Sequence, residues 1–189
     1  MTTMFEVEKI CSECGRASKH RACASTYNYG SPDLDTRPPE MSRSTINTWI
    51  STCPACGYCA PDISEQIEKA SEIIHSDAYQ RQLNDLESPK LANAFICYSI
   101  IKQSLGEFAE ASWASIHAAW VCDDNGSDVG SKVFRARAVT LQQMAKDKGQ
   151  ILTEQAGAEE AIMVDLLRRS GQFDYALKFC EYQKAPFGD

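Results

Sequence analysis

CSECG at Cys11–Gly15 and CPACG at Cys53–Gly57 are two copies of C-x-x-C-G, and reading them decides the fold. A two-residue gap lets a tight turn aim both sulfurs at one tetrahedral ion, with metal–sulfur bonds of about 2.3 Å. The glycine after the second cysteine lets the backbone turn with positive φ and brings amide groups toward the thiolates. Two such knuckles carried by strands make a zinc ribbon. Cys11, Cys14, Cys53 and Cys56 are therefore the expected ligands of one structural Zn2+, in a closed four-thiolate site with no position for water or substrate. Between Cys14 and Cys53 lie 38 residues, more than the roughly 15–20 of a minimal paired site. An inserted strand and a proline-rich loop account for the excess.

Other uses of these cysteines fit less well. Cys53, Cys56 and Cys59 imitate the opening of an iron–sulfur motif, but no C-x-x-x-C-P completes it. A thioredoxin-like redox pair needs a strand-to-helix setting that two glycine-followed knuckles do not provide. Cys23 and Cys59 read as neighbours of the site, with ligand substitution or a disulfide formed on oxidation as the sharper alternative. Cys97, Cys122 and Cys180 fall in apolar helical patterns and read as small buried hydrophobes.

Around the knuckles, residues 1–60 read as short strands and turns. Phe5 and Val7 alternate with Glu6 and Glu8, the period of a half-buried strand. Arg21–Tyr29 (RACASTYNY) and Ser44–Thr52 (STINTWIST) are rich in β-favouring residues. They complete an expected three-stranded antiparallel sheet, too small to be stable without a staple. The intervening GSPDLDTRPPEMSR excludes a helix through Pro32, Pro38 and Pro39. Within it, Asp33, Asp35 and Arg37 form either a local ion pair and turn or a surface that reads a partner or small ligand.

From Pro61 the pattern is helical. Asp62 opens a stripe of Ile63, Ile67, Ala70 and Ile74; Ser88-Pro89 starts a second helix that Gly106 ends. Trp113, Ile116, His117 and Trp120 share a third face, Phe134, Ala138, Leu141 and Ala145 a fourth, and Thr153 opens a fifth helix ending at Gly171. LGEFAEA (Leu105–Ala111) and SGQFDYA (Ser170–Ala176) repeat G-x-F-x-x-A, the turn of a helical hairpin resembling the middle of a tetratricopeptide (TPR) repeat. The expected fold is thus α+β, a ribbon over 1–60 followed by an all-α TPR-like domain over 61–189.

Taken together, CSECG, SPDLDTRPP, CPACGY and LRRSGQFDYAL resemble a bacterial family known as domain of unknown function 2225, an N-terminal double-CxxC ribbon followed by TPR-like helices. The resemblance implies the metal-ligand role for Cys11, Cys14, Cys53 and Cys56 and no particular activity.

The formal charge of −7 and the absence of any basic run argue against nucleic acid as a partner. No apolar run is long enough for a membrane span and the N-terminus lacks the pattern of a secretory signal, so a cytoplasmic location is expected. No G-x-S-x-G or G-x-x-x-x-G-K-[ST] motif appears. The leading expectation is a non-enzymatic module that binds a protein or peptide on its helices. The alternatives are a metal-dependent enzyme or thiol redox sensor using the ribbon and the Asp33–Arg37 loop, and a ribbon that binds nucleic acid.

Overall fold

A computed structural model describes Thr2 to Lys184. It shows a small antiparallel N-terminal sheet followed by helices. Strands β1 (Thr3–Ile10) and β2 (Ala17–Ser25) form a hairpin in which Glu6 faces Arg21 and Glu8 faces Lys19. Strands β3 (Ser51–Thr52) and β4 (Cys59–Ala60) form a second, separate pair. Among the described residues seven helices follow: α1 (Ala70–Ile73), α2 (Asp77–Leu83), α3 (Lys90–Ser104), α4 (Phe108–Asp124), α5 (Asp128–Asp147), α6 (Ala158–Arg169) and α7 (Phe173–Lys184). No helix among the described residues is long and apolar enough to cross a membrane.

Two expectations give way to local hydrogen bonding, and a third holds only in part. Ser44–Thr52 is not a strand but mostly a 3-10 turn over Arg43–Thr48. Its hydroxyls bond carbonyls three residues back, Thr45 to Ser42 at 2.7 Å and Thr48 to Thr45 at 2.8 Å, and so compete with a ladder. The three-stranded sheet therefore does not form. Residues 62–69 are not helical either. Ser12 N donates to Ile63 O at 2.8 Å, and Ser12 Oγ and Tyr58 OH both donate to Glu65 O at 3.1 Å. Carbonyls that a helix would use internally are taken by the first knuckle and its neighbour. Asp62 closes a turn on Ser64 instead of capping a helix, and Lys69 sits at φ 57°. The stripe is nonetheless buried, with Ile63, Ala70 and Ile74 at 2% exposure or less. Finally, the strand expected to be half-buried is so at Val7, between the exposed Glu6 and Glu8, but not at Phe5, which is 50% accessible.

The helical part forms by repeated tight hairpins. Helices α3, α4, α6 and the long α5 each end in a glycine at positive φ, and the next residue donates to a carbonyl five back: Glu107 to Lys102, Ser127 to Cys122, Gln150 to Ala145, Gln172 to Leu167. In both G-x-F-x-x-A copies the alanine, Ala111 or Ala176, is buried just after the turn. Small residues let α3 and α4 approach closely, and Ser99 Oγ bonds Ala111 O at 2.7 Å and Ser115 Oγ at 3.0 Å across the interface. One continuous apolar core includes Ile46, Ile50 and Tyr58 from the N-terminal part together with Phe95, Ile116, Trp120 and Leu166 of the helices. The boundary drawn at 60/61 is crossed by shared packing.

A second bond between the two parts is ionic. The proline-rich loop inserts Asp35, fully buried, among α4, α5 and α6. Asp35 Oδ2 accepts from Trp120 Nε1 at 2.8 Å and Arg169 Nη1 at 3.0 Å, with Arg135 Nη2 at 3.7 Å. Asp123 completes the cluster by binding Arg135 at 2.5 Å and Arg169 at 2.7 Å. Burial pushes the Asp123 carboxyl up, but these guanidinium groups outweigh it and hold the group below its ordinary value. Asp35 and Arg37 do not pair through their charged ends. Arg37 Nη2 reaches both oxygens of Asp124 at 2.6 Å and lies 6.0 Å from the Trp120 ring centroid. Asp33 binds Arg43 nearer the surface, at 2.8 Å.

Asp35→Ala leaves the buried Arg135 and the half-buried Arg169 short of a counter-charge and should cost about 3–5 kcal/mol in urea unfolding. Asp33→Ala breaks a solvated pair and should cost about 1 kcal/mol or less. Because Asp123 is held below its unfolded value, its contribution is full above about pH 4 and falls away as pH drops through the folded value. Urea midpoints measured from pH 6 to pH 3 should show that loss reduced in Asp123→Asn.

Candidate metal centre

Each knuckle is built by the same pair of backbone bonds. In the first, Cys11 N donates to Arg16 O at 3.0 Å and Gly15 N to Cys11 O at 2.8 Å. In the second, Cys53 N donates to Tyr58 O at 2.8 Å and Gly57 N to Cys53 O at 2.9 Å. Gly15 and Gly57 have φ of 71° and 76°, the left-handed turn that C-x-x-C-G requires. The hairpin β1–β2 carries the first knuckle between its strands; the second joins β3 to β4.

The two knuckles converge. The sulfurs of Cys11, Cys14, Cys53 and Cys56 all lie within 4.8 Å of one another, a group compatible with a zinc site. Cys11 Sγ and Cys56 Sγ are 3.7 Å apart, and Cys14 Sγ and Cys53 Sγ 3.6 Å. A tetrahedron of bonds of about 2.3 Å sets its corners about 3.8 Å apart. A disulfide would need about 2.05 Å, so these are not oxidised pairs. The donor set and its spacing fit a single thiophilic divalent ion.

Electrostatics point the same way. Burial pushes the Cys11 and Cys56 thiols up. At Cys53 burial acts in that direction too, but the amides of Cys56 and Ala55 and the neighbouring thiols outweigh it and draw the group down to about 7. A cluster with one readily ionised thiol and two resistant ones becomes four thiolates when a cation supplies the missing charge.

Aromatic hydroxyls brace the second knuckle. Tyr79 of α2, fully buried, donates to Gly57 O at 2.9 Å and accepts from Cys59 N at 3.0 Å. Leu83 of the same helix packs against Gly57 so closely that a Cβ there would collide with its Cδ2. Neither residue was singled out from the sequence; Tyr58, directly after the knuckle glycine, is the nearest signal. Cys59 is fully buried beside the centre and outside it, its thiol bonding Gly57 O at 3.3 Å, and Cys23 lies on β2 with its thiol toward Ser25 O. His20 on β2 bonds Ser18 at 2.8 Å and is not part of the group. Asp35 and Arg37, read as candidates for ligand recognition, are committed to the buried ion pairs described above.

No protein-family model, curated protein or solved structure matches this chain.

Elemental analysis should give one metal ion per chain in the wild type, Cys23→Ala and Cys59→Ala, and none in Cys56→Ala. Gly15→Ala, with open space at its Cβ, should cost about 1 kcal/mol of stability from the left-handed backbone alone. Gly57→Ala adds the collision with Leu83, so denaturant titration should rank it clearly lower.

Proposed function

We propose that the chain is a zinc-binding, non-enzymatic interaction module, in which a structural four-cysteine centre fixes an N-terminal ribbon to helices that bind a protein or peptide. The observation that carries the metal half is the sulfur spacing, 3.6 and 3.7 Å across the pairs, which matches a coordination sphere filled by the protein itself. The ion's role would be to close the knuckles and neutralise their thiolates; Cys11, Cys14, Cys53 and Cys56 would hold it. Membership of the family that the knuckles and helical turns resemble belongs to the same reading.

The binding half rests on the far end of the helical array. Helices α5, α6 and α7 border an open groove of about 650 Å3, lined by Val139, Met144, Met163, Leu167, Tyr175 and Phe179. Among the described residues its only charged lining residue is Lys178. Flexible methionines beside aromatic rings suit an amphipathic peptide helix laid apolar face inward, and the lone cation favours an acidic flank on that peptide. Helical hairpins stacked side by side commonly present such surfaces, and a TPR-like assignment of these hairpins is part of the proposal.

Cobalt substitution tests the closed centre. The protein loaded with Co2+ should show the intense visible bands of tetrahedral thiolate coordination, unchanged by excess azide or imidazole. A spectral shift on adding either would mean an open position and would favour the metalloenzyme alternative. For the groove, helical peptides selected from a display library on wild-type protein should bind Met163→Glu at least tenfold more weakly. Equal binding by that variant would remove the groove from the proposal.

A further inference from the structure

A cavity of about 180 Å3 opens where the N-terminal part meets α3 and α4, away from both the sulfur cluster and the α5–α7 groove. Trp49, following the 3-10 turn, supplies one side. Phe95 and Tyr98 come from α3, Trp113 and His117 from α4, and Glu110 is the only charged residue in the lining. Five rings and one carboxylate therefore surround a small space. His117 is the hub: Trp49 stands edge-on to it at 5.2 Å and 75°, Phe95 at 5.4 Å and 69°, and Trp113 is tilted by 31° at 6.0 Å.

The polar edges of three of these rings are engaged, while His117 has no hydrogen-bond partner among the described residues. Trp49 Nε1 donates to Thr45 Oγ1 at 2.9 Å, Trp113 Nε1 to Leu152 O at 2.9 Å, and Tyr98 OH to Glu110 Oε2 at 3.1 Å. These bonds fix the ring orientations and leave π surface as the main thing the walls can offer a ligand. Burial lowers the His117 pKa to about 4, so at neutral pH the imidazole is an uncharged fifth ring and not a competing cation. The lining carboxylate of Glu110 shares the ammonium of Lys102 with Glu107, at 2.9 and 2.5 Å. That same ammonium lies 5.6 Å from the Tyr98 ring centroid, so one ring of the lining already meets a cation.

We infer that this aromatic cavity is a binding site for a quaternary ammonium group. The negative faces of aromatic rings attract a cation within about 6 Å of their centroids. A primary ammonium carries three N–H donors that must be satisfied when it leaves water, and the walls offer only one imidazole acceptor and one carboxylate already shared with Lys102 and Tyr98. A trimethylammonium group has no N–H donor, fills an apolar space with its methyls, and spreads its charge over them. The group could belong to a small free molecule of the choline type or to a trimethylated lysine of a partner. The inference depends neither on the metal nor on the α5–α7 groove.

Choline chloride and its uncharged isostere, 3,3-dimethylbutan-1-ol, are titrated into the metal-loaded full chain while tryptophan fluorescence and 1H–15N spectra are recorded. Choline should bind saturably, shift the indole resonances of Trp49 and Trp113, and exceed the isostere in affinity by at least tenfold. Glu110→Gln, whose side chain is 56% exposed and so tolerates exchange, should weaken choline several-fold and leave the isostere unchanged. Trp113→Leu should weaken choline by tenfold or more, with metal content and melting temperature checked to confirm the fold. A short peptide bearing trimethyl-lysine separates the sources: tighter binding than choline assigns the site to a partner's side chain, and equal binding to a small molecule. Equal affinity for choline and the isostere, or no saturable change with choline at tens of millimolar, would overturn the inference.

Discussion

Four thiolates can share one small volume only with a cation among them, and in the proposed zinc site that constraint would hold the N-terminal residues in place. Unshielded, they would repel one another; around a divalent ion they link two turns 38 residues apart in the chain. The apolar core supplies little hold on the outer hairpin, since β1 and β2 are largely exposed and pair only with each other. A two-stranded hairpin alone is marginal in water. Closing a structural zinc site contributes on the order of 10–16 kcal/mol in small peptides, ample to anchor it. Tyr79 and Leu83 then carry the constraint into the helices, because both press on the backbone of the second knuckle.

The buried Asp35 cluster acts at the opposite end of the same insertion. Between the knuckles the chain leaves the ribbon, places one carboxylate among Arg135, Arg169 and Trp120, and returns. Such a cluster adds modestly to stability relative to an apolar substitute, since desolvation offsets much of the attraction. Its stronger effect is selective: only one placement of the loop matches every charge. Trp120, held by Asp35, stands edge-on to Trp49 at 6.4 Å, so the ion cluster helps to place one wall of the aromatic cavity.

What could be read from the residues follows the range of the interactions. The knuckles were legible because C-x-x-C-G encodes its turn within five residues. Hairpin ends were legible for the same reason, each glycine closing its own cap. STINTWIST misled because β-propensity counts side-chain shape, whereas Thr45 and Thr48 turned their hydroxyls onto the local backbone. DISEQIEKASEIIHSD misled because its apolar spacing is real but its early carbonyls are claimed by Ser12 and Tyr58. The partners of Asp35 lie 85 or more residues away and carry no local signal, so the loop read as a surface feature when it is part of the interior. His117 read as one position on a helix face with Trp113 and Trp120, and it is ringed by aromatics; that those aromatics enclose a cavity depends on Trp49, supplied from the N-terminal part.

The most direct test of the metal as the anchor of the N-terminal part is hydrogen exchange followed by mass spectrometry, on zinc-loaded protein and on protein stripped by a chelator. Stripping should abolish protection in residues 3–25 and 51–60, weaken it in α2 through Tyr79, and spare the α4–α5 pair. Unchanged protection in both knuckles and the hairpin after verified removal of the metal would contradict the account.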